Sequence, residues 1–544
     1  MPAASKELDE YHGEVLTRRW VVDFILDQAG YTAERDLGSL RFVEPAAGTG
    51  AFVVPALERL SASLKSHGKS LESAHDAFRA FEIQTHNVET LKPLMARVLS
   101  DDGWDKKSVA AFVGESLIEA DYLLTPHFPN TVDFIVGNPP YIRLEDIGER
   151  ADAYRRVSPA MGGRADIYIA FFDLGLDTLT DSGRLVFICA DRWMRNDYGR
   201  RLRRKVIDGF SMDLVVTMHD ADAFEEEVSA YPAITVMTRG EQGRAILATA
   251  DDTFDEEAAS KLSAWARRPS KPLVSRGVKA DTVPKWFPTD QSWPEGSPAR
   301  LAWLEHLDET LPLAEQTGIR FGIGVATGSD KVYVVKGDAI PDIEPERLLP
   351  LLVADDIRTG KLKPTHSFLV NPWDENGLVN LEDWPRFTAY LERFPDLKAR
   401  HTAKANPKKW HKTIDRVNYD LLDRPKLVFQ DMKGKATPVF HEGGLYPHHN
   451  LYWAVADDDS WDIQVFGGLM LSEVVEAQVA AYCVKMRGGT LRFQTQYLRR
   501  VRVPHPRDIE RETATALKKA FQEGDRDAAT RAALDAYGLD SLPD

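Results

Sequence analysis

The chain has 544 residues, 43% of them apolar and 28% charged, which is enough material for several buried cores and a length suited to roughly two to four domains. A net charge of −16 argues against indiscriminate nucleic-acid binding over the whole surface, though not against a local basic groove, and two cysteines, Cys189 and Cys483, exclude a disulfide framework or a cysteine metal cluster. No apolar run is long enough to span a bilayer and the N-terminal stretch has no signal-peptide core, so no membrane association and a cytoplasmic location are expected.

After His12 to Leu16, Thr17 stands before RRWVVDFILDQAG, in which Trp20, Val21, Phe24, Ile25 and Ala29 recur at helical spacing; Thr17 is placed to cap that helix. LRFVEPAAGTGAF then reads as a short strand, the acid Glu44, a turn carrying Gly48 and Gly50, and an apolar helix through Val53, Val54, Ala56, Leu57 and Leu60. Glycines between a strand and a helix let a ligand approach the backbone. The usual phosphate-binding spacing is absent, and Glu44 would repel a pyrophosphate, so a cationic ligand such as an ammonium or a sulfonium fits better. A second strand from Phe78 ends at Glu82, where ribose hydroxyls are commonly held in doubly wound folds. The polar stretch between them, including SASLKSHGKS, predicts an extra loop or an extended helix. Asp121, within ADYLL, precedes the next strand and is placed to accept a hydrogen bond from an adenine amine.

TVDFIVGNPPY is the centre of the chain. Val132, Phe134, Ile135 and Val136 predict a buried strand, and Pro139 and Pro140 must end it because neither has an N–H for the ladder. The strand tip then offers the Asn138 side-chain oxygen and the Pro139 carbonyl as acceptors beside the Tyr141 ring. That set suits a planar ring stacked on Tyr141 with an exocyclic NH2 bonded to the two oxygens. Two acceptors on its hydrogens favour a pyramidal nitrogen with a localised lone pair, able to attack an activated methyl group. The bland alternative is an ordinary turn, since Asn-Pro and Pro-Pro mark turns routinely.

These residues resemble the γ-group, Taq-type adenine-N6 DNA methyltransferases of restriction–modification systems. The resemblance covers most of the first 245 residues and rests on Glu44-Pro45-Ala46-Ala47-Gly48-Thr49-Gly50-Ala51-Phe52, on Ala120 to Leu124, and on Val132 to Tyr141. It implies an α/β catalytic domain with a Rossmann-like, seven-stranded, mostly parallel sheet. It also implies S-adenosylmethionine held by Thr17, Glu44, Ala46, Gly48, Gly50, Glu82, Asp121 and Asn138, with no metal required. Arg18 stands where the family usually has proline, which sets the Thr17 segment apart. Asn138, Pro139 and Tyr141 are the implied catalytic residues. Phe224, before the strand-like VSAYPAITVMT, is the implied second stacking face, although an ordinary core role is open to it. The aromatic pair would offset much of the few kcal/mol needed to extrude a base, at ~1–3 kcal/mol per stacked base. Cys189 lies in the apolar run VFICA and is expected to be a packing thiol.

Domains are expected at 1–245 (catalytic), 246–310 (a connector rich in proline and tryptophan toward its end) and 311–544 (a mixed, β-rich target-recognition domain with a helical tail). Gly322, Gly324 and Gly328 are followed by no helical pattern and read as tight strand turns. Basic residues concentrate from Lys398 to Lys435 and again from Arg487 to Arg502. Lys408, Lys409, Trp410, Arg416, Lys433, Lys435 and Arg492 are the candidate DNA contacts, weighed against the ordinary reading of charge runs as solvated surface. His448, His449 and Asn450 either face bases or close a turn; without further ligands at suitable spacing, no metal is expected there. Double-stranded DNA is the expected partner, a separate endonuclease acting on the same site is the candidate protein partner, and a monomer is expected. Rival readings are a protein-glutamine or RNA-adenine methyltransferase sharing Asn-Pro-Pro-Tyr, and a fused nuclease using Asp396, Asp431 and Lys433.

Overall fold

The computed structural model describes residues 16–226, 231–433, 435–483 and 490–543; residues 1–15, Arg487 and the Lys433 side chain lie outside what is described. The chain divides into two compact units, Met1–Pro298 and Ala299–Asp544.

The first unit is built on one mixed sheet. Its strands are β1 (Phe42–Glu44), β2 (Phe78–Glu82), β3 (Leu117–Glu119), β4 (Val132–Gly137), β5 (Leu179–Ala190), β6 (Phe210–Thr217), β7 (Pro232–Arg239), β8 (Ala245–Ala250), β9 (Leu273–Ser275) and β10 (Val278–Val283). They lie in the order β3-β2-β1-β4-β5-β7-β6-β8-β10-β9. The pairings from β3 to β5 are parallel, β7 runs antiparallel to both β5 and β6, and β8 returns parallel to β6. Ten strands, rather than the expected seven, therefore form the sheet.

Alternation along β4 and β5 explains why both faces are covered. Phe134 and Val136 with Val186 and Ile188 enter one apolar cluster, together with Val21 and Phe24 of helix α1 (Arg19–Ala29) and Leu57 and Leu60 of α2 (Val53–Ser66). Ile135 with Leu185, Phe187 and Cys189 enters the other, packed with Phe172 and Trp193. Each fully buried side chain of this kind contributes ~1.5–3 kcal/mol. Strands apolar on both faces are what a parallel sheet under two helical layers demands. Cys189 is 2% exposed, and burial pushes its thiol well above the ordinary range, which fits a packing role.

The expected connector is corrected by the structure. Residues 245–283 supply β8, β9 and β10, and Glu256–Ala266 is a helix capped by the Asp255 carboxylate on the Ala258 N–H at 3.0 Å. Phe254 beside it meets Trp20 and Phe24 edge-on, with ring centroids 5.6 and 6.2 Å apart. Alanine, with serine and threonine, makes up most of AILATA and EEAASKLSA, so the hydrophobic pattern there is weak although the segments are ordered. Trp286 and Trp293, expected in a linker, are buried, with Trp293 5.5 Å from Trp193.

The second unit contains two four-stranded sheets. One orders Ile319–Ile323, Leu451–Ala456, Lys426–Gln430 and Val439–His441; the other orders Val334–Lys336, Ser367–Val370, Leu348–Leu352 and Tyr446–Pro447. Helices Arg511–Glu523 and Arg526–Tyr537, separated by Gly524 in the left-handed region, follow toward the end of the chain. Lys426 and His441 face each other across adjacent strands and are 0% and 6% exposed. Burial pushes Lys426 down to about 8 and His441 down to about 4, and the His441 Nδ1 accepts the Gly443 N–H at 3.0 Å. Because folded His441 stays neutral while the unfolded imidazole protonates near ~6.5, stability is lost as pH falls from the unfolded toward the folded value. Urea unfolding at about pH 7.5 and about pH 5 is expected to differ by about 2 kcal/mol from this group, and His441→Gln is expected to remove that part of the difference. An unchanged pH dependence in the variant would show that His441 titrates alike in both states.

Candidate active site

In the sheet, β2 and β3 extend to one side of β1 while β4 and β5 lie on the other. The order of the chain reverses there, and a crevice opens outside the carboxyl ends of the strands at such a switch point. Glu44 ends β1, Glu82 ends β2, Asp121 follows β3, and Asn138 follows β4. Four polar side chains of the sequence reading thus sit at the same end of four adjacent strands.

Glu44 is 1% exposed; its Oε1 accepts the Ala46 N–H at 3.2 Å, and its Oε2 is buried without a hydrogen-bond partner among the described residues. Burial pushes its carboxyl well above the usual range, and the nearby Glu82 adds to this. The residue touching that carboxylate from β4 is Gly137, where a Cβ would lie 2.3 Å from Oε1, so a larger residue there would have to displace the acid. Glu82 accepts the Gly48 N–H at 2.7 Å through one oxygen and the Gln84 N–H at 2.7 Å through the other. It therefore ties the glycine turn to β2. Gly48 and Gly50, at φ 52° and 103°, take the left-handed backbone that this turn requires.

Asp121 is more heavily engaged than its motif suggests. Its Oδ1 accepts the Leu123 N–H at 3.1 Å, and its Oδ2 accepts the Tyr154 hydroxyl at 2.8 Å, with the Arg150 guanidinium 3.5 Å away. Tyr154 lies on the short helix Ala151–Val157. The sequence reading missed Arg150 and Tyr154, and no local pattern in ERADAYRRV marks them.

Asn138 is half-buried, and its amide nitrogen donates to the Thr17 hydroxyl at 3.3 Å. The carbonyl arm of the amide is thereby turned away from Thr17. Thr17 caps no helix, contrary to expectation: Arg18 occupies the cap position of α1, and Thr17 forms an antiparallel bridge with Phe224. The Arg18 N–H donates to Ala223 and the Glu225 N–H to Leu16, at 3.0 and 2.9 Å, while Arg18 pairs with Asp222 at 2.8 Å. Pro139 is buried, and no backbone N–H among the described residues donates to its carbonyl. The half-buried Tyr141 ring stands edge-on to Tyr168 at 6.4 Å, and burial pushes its phenol well above the ordinary value, so the ring is neutral. Phe224 departs from expectation. It is 6% exposed and packs in the α1 cluster, so it presents no open stacking face in this structure.

A second polar cluster went unnoticed in the sequence. Asp191, just past β5, pairs with Arg195 and with the His219 Nε2 at 2.7 Å, and Glu295 lies 3.7 Å from Arg195. Arg195 and His219 hold the Asp191 carboxyl well below the usual range despite its burial. The Arg195 guanidinium within the cluster marks it as a brace that joins the segments following β5 and β6 to Glu295 rather than a metal site.

In the second unit, Lys408, Lys409, Arg416 and Lys435 are exposed and Trp410 is half-buried under the Lys398 ammonium, 4.7 Å from its ring centre. Several other basic residues are structural. Arg492 pairs with Asp431, Arg499 with Glu315 at 3.1 Å and Arg502 with Asp308 at 2.9 Å, and Arg400 donates to the Trp410 and Lys412 carbonyls at 2.9 and 2.8 Å. Lys426 is buried. Among the described residues, neither Asp396 nor Asp431 belongs to a convergent set of metal-ligating atoms.

Residues 58–224 match the Eco57I restriction-modification methylase family. The chain is 39% identical over 540 residues to the type II methyltransferase M.XhoI of Xanthomonas vasicola, covering 98% of each chain. It is 39% identical to the type II methyltransferase M.PaeR7I of Pseudomonas aeruginosa, over 97% of this chain and 92% of that one. The fold is similar to that of the type IIL restriction-modification enzyme MmeI, solved in complex with DNA, with a TM-score of 0.59 and 12% identity over 99% of this chain and 76% of that one. With a switch-point site of this composition and relatives matched along nearly its whole length, the chain belongs to the type II DNA methyltransferases of restriction–modification systems.

Proposed function

We propose that the chain methylates the N6 amine of adenine in a short site on double-stranded DNA, with the base turned out of the helix, in the manner of the γ-group enzymes that its motifs resemble. The observation that carries this reading is the strand tip. The Asn138 amide, oriented by Thr17, and the Pro139 carbonyl, without a ladder partner, adjoin the Tyr141 ring at the switch point. A methyltransferase of this kind uses S-adenosylmethionine, and the residues present fit it: the buried Glu44 oxygen without a hydrogen-bond partner suits the ammonium, Glu82 the ribose hydroxyls and Asp121 the adenine amine. When bound, the cofactor supplies an electrophilic methyl group.

The chain's own residues then do three things. Asn138 and Pro139 accept the hydrogens of the target amine, which localises its lone pair. Tyr141 supplies a stacking face worth ~1–3 kcal/mol. Glu44 and Glu82, held by backbone N–H groups of the turn, orient the cofactor toward that amine. The proton released goes to water, so no general base is required. The second unit is assigned to DNA recognition through Lys408, Lys409, Trp410, Arg416 and Lys435, acting as a monomer alongside a separate endonuclease of the same specificity. The exposed lysines support this assignment.

Asn138→Ala is expected to lower methyl transfer roughly 100- to 1000-fold, the scale of losing one preorganised hydrogen bond, while S-adenosylmethionine binding by calorimetry stays near wild type. Tyr141→Phe is expected to keep activity and Tyr141→Ala to lose it. Sequencing DNA from a host lacking other methylases, with and without the chain, tests the product; a modified cytosine would remove the adenine reading. Gly137→Ala is expected to displace the Glu44 carboxylate and weaken cofactor binding about tenfold or more, corresponding to 1–3 kcal/mol of overpacking. Unchanged affinity would mean that Glu44 moves freely.

A further inference from the structure

His448 and His449 have a third partner that the sequence did not reveal. The His448 Nε2 lies 3.1 Å from the His449 Nδ1 and 3.2 Å from an Asp330 carboxylate oxygen, and all three atoms fall within 4.8 Å of one another. The same carboxylate oxygen accepts the hydroxyl of the buried Thr327. The backbone under the histidines is held from two sides, with the His448 N–H donating to Leu352 at 2.9 Å and the His449 N–H to Val325 at 3.1 Å.

Counting protons shows what such a cluster lacks. The Thr327 hydroxyl serves the Asp330 oxygen; between the two facing imidazole nitrogens only one hydrogen fits, and where it sits on the His449 Nδ1 the His448 Nε2 has none for the carboxylate 3.2 Å away. A divalent cation serves all three at once. Ligands about 2.0–2.1 Å from a tetrahedral ion lie roughly 3.3 Å from one another, close to the two short separations here. Two imidazoles with one carboxylate select a borderline transition ion of the Zn2+ type over Mg2+ or Ca2+, which prefer oxygen ligands. Thr327 then acts as the outer partner that orients a ligating carboxylate.

From this convergence we propose that Asp330, His448 and His449 form a binding site for one Zn2+-class cation, with the remaining coordination position open to water. The Asp330 side chain is 47% exposed, so the ion enters from solvent. Once bound, it cross-links the start of the short helix Asp330–Tyr333 to the segment after the strand Tyr446–Pro447. It does not take part in methyl transfer.

The test uses the full chain, stripped with a chelator and titrated with Co2+ and then Zn2+, and read by visible absorption and calorimetry. One Co2+ per chain with a ligand-field spectrum, displaced by Zn2+, is expected. His449→Ala and Asp330→Asn are expected to lose both signals, Thr327→Val to bind roughly tenfold more weakly, and His441→Gln, a buried histidine elsewhere, to bind as wild type. An unchanged circular dichroism spectrum and a urea-unfolding transition like that of the wild-type chain would show that the variants are folded. No stoichiometric binding by the wild-type chain, or equal binding by His449→Ala, would overturn the site and leave the cluster as a hydrogen-bonded chain.

Discussion

The first unit depends on where one central strand is forced to stop. β4 lies between β1 and β5, so its backbone would be paired on both sides if it continued; Pro139 and Pro140 withhold the hydrogens that pairing needs. The break falls where the sheet changes direction, which is the one place where an interrupted ladder opens onto a crevice rather than onto a packed helix. Polar atoms that elsewhere in the sheet are consumed by neighbouring strands are therefore left to meet a ligand.

The second constraint is the buried acid beside that break. An isolated carboxylate in an apolar setting is unfavourable, and Glu44 has one backbone N–H for two oxygens. Glu82, by contrast, receives two backbone donors and so is settled by the fold itself. This inequality separates their parts. Glu82 holds the turn together, whereas Glu44 keeps one buried oxygen without a hydrogen-bond partner among the described residues, and Gly137 leaves the space that this carboxylate fills.

Local patterns made much of this legible. The apolar run ending in Asn-Pro-Pro-Tyr, the strand–acid–glycine turn and the acids at successive strand ends depend on neighbours in sequence, and the structure puts them at one end of the sheet. The errors share one cause, which is that the deciding contact lies far along the chain. Thr17 looked like a helix cap because its bridge to Phe224 is invisible locally, and the same bridge takes the Phe224 ring into the core. Residues 246–283 looked like part of a linker because alanine, serine and threonine carry little hydrophobic signal, although their strands extend a strong sheet. Lys426 and Arg492 counted as free positive charge until the structure paired or buried them. Asp330 could not be connected to His448 by any spacing rule.

The bridge between residues 16–18 and 223–225 has a consequence for the order in which the protein becomes competent. The segment that orients Asn138 is synthesised first, yet its partner strand leaves the ribosome some two hundred residues later. A nascent or prematurely ended chain can carry the whole Asn-Pro-Pro-Tyr tip without the clasp that aims it. In such fragments the Thr17 segment lacks the bridge that holds it beside Asn138, and that bridge can close only in chains translated beyond Glu225.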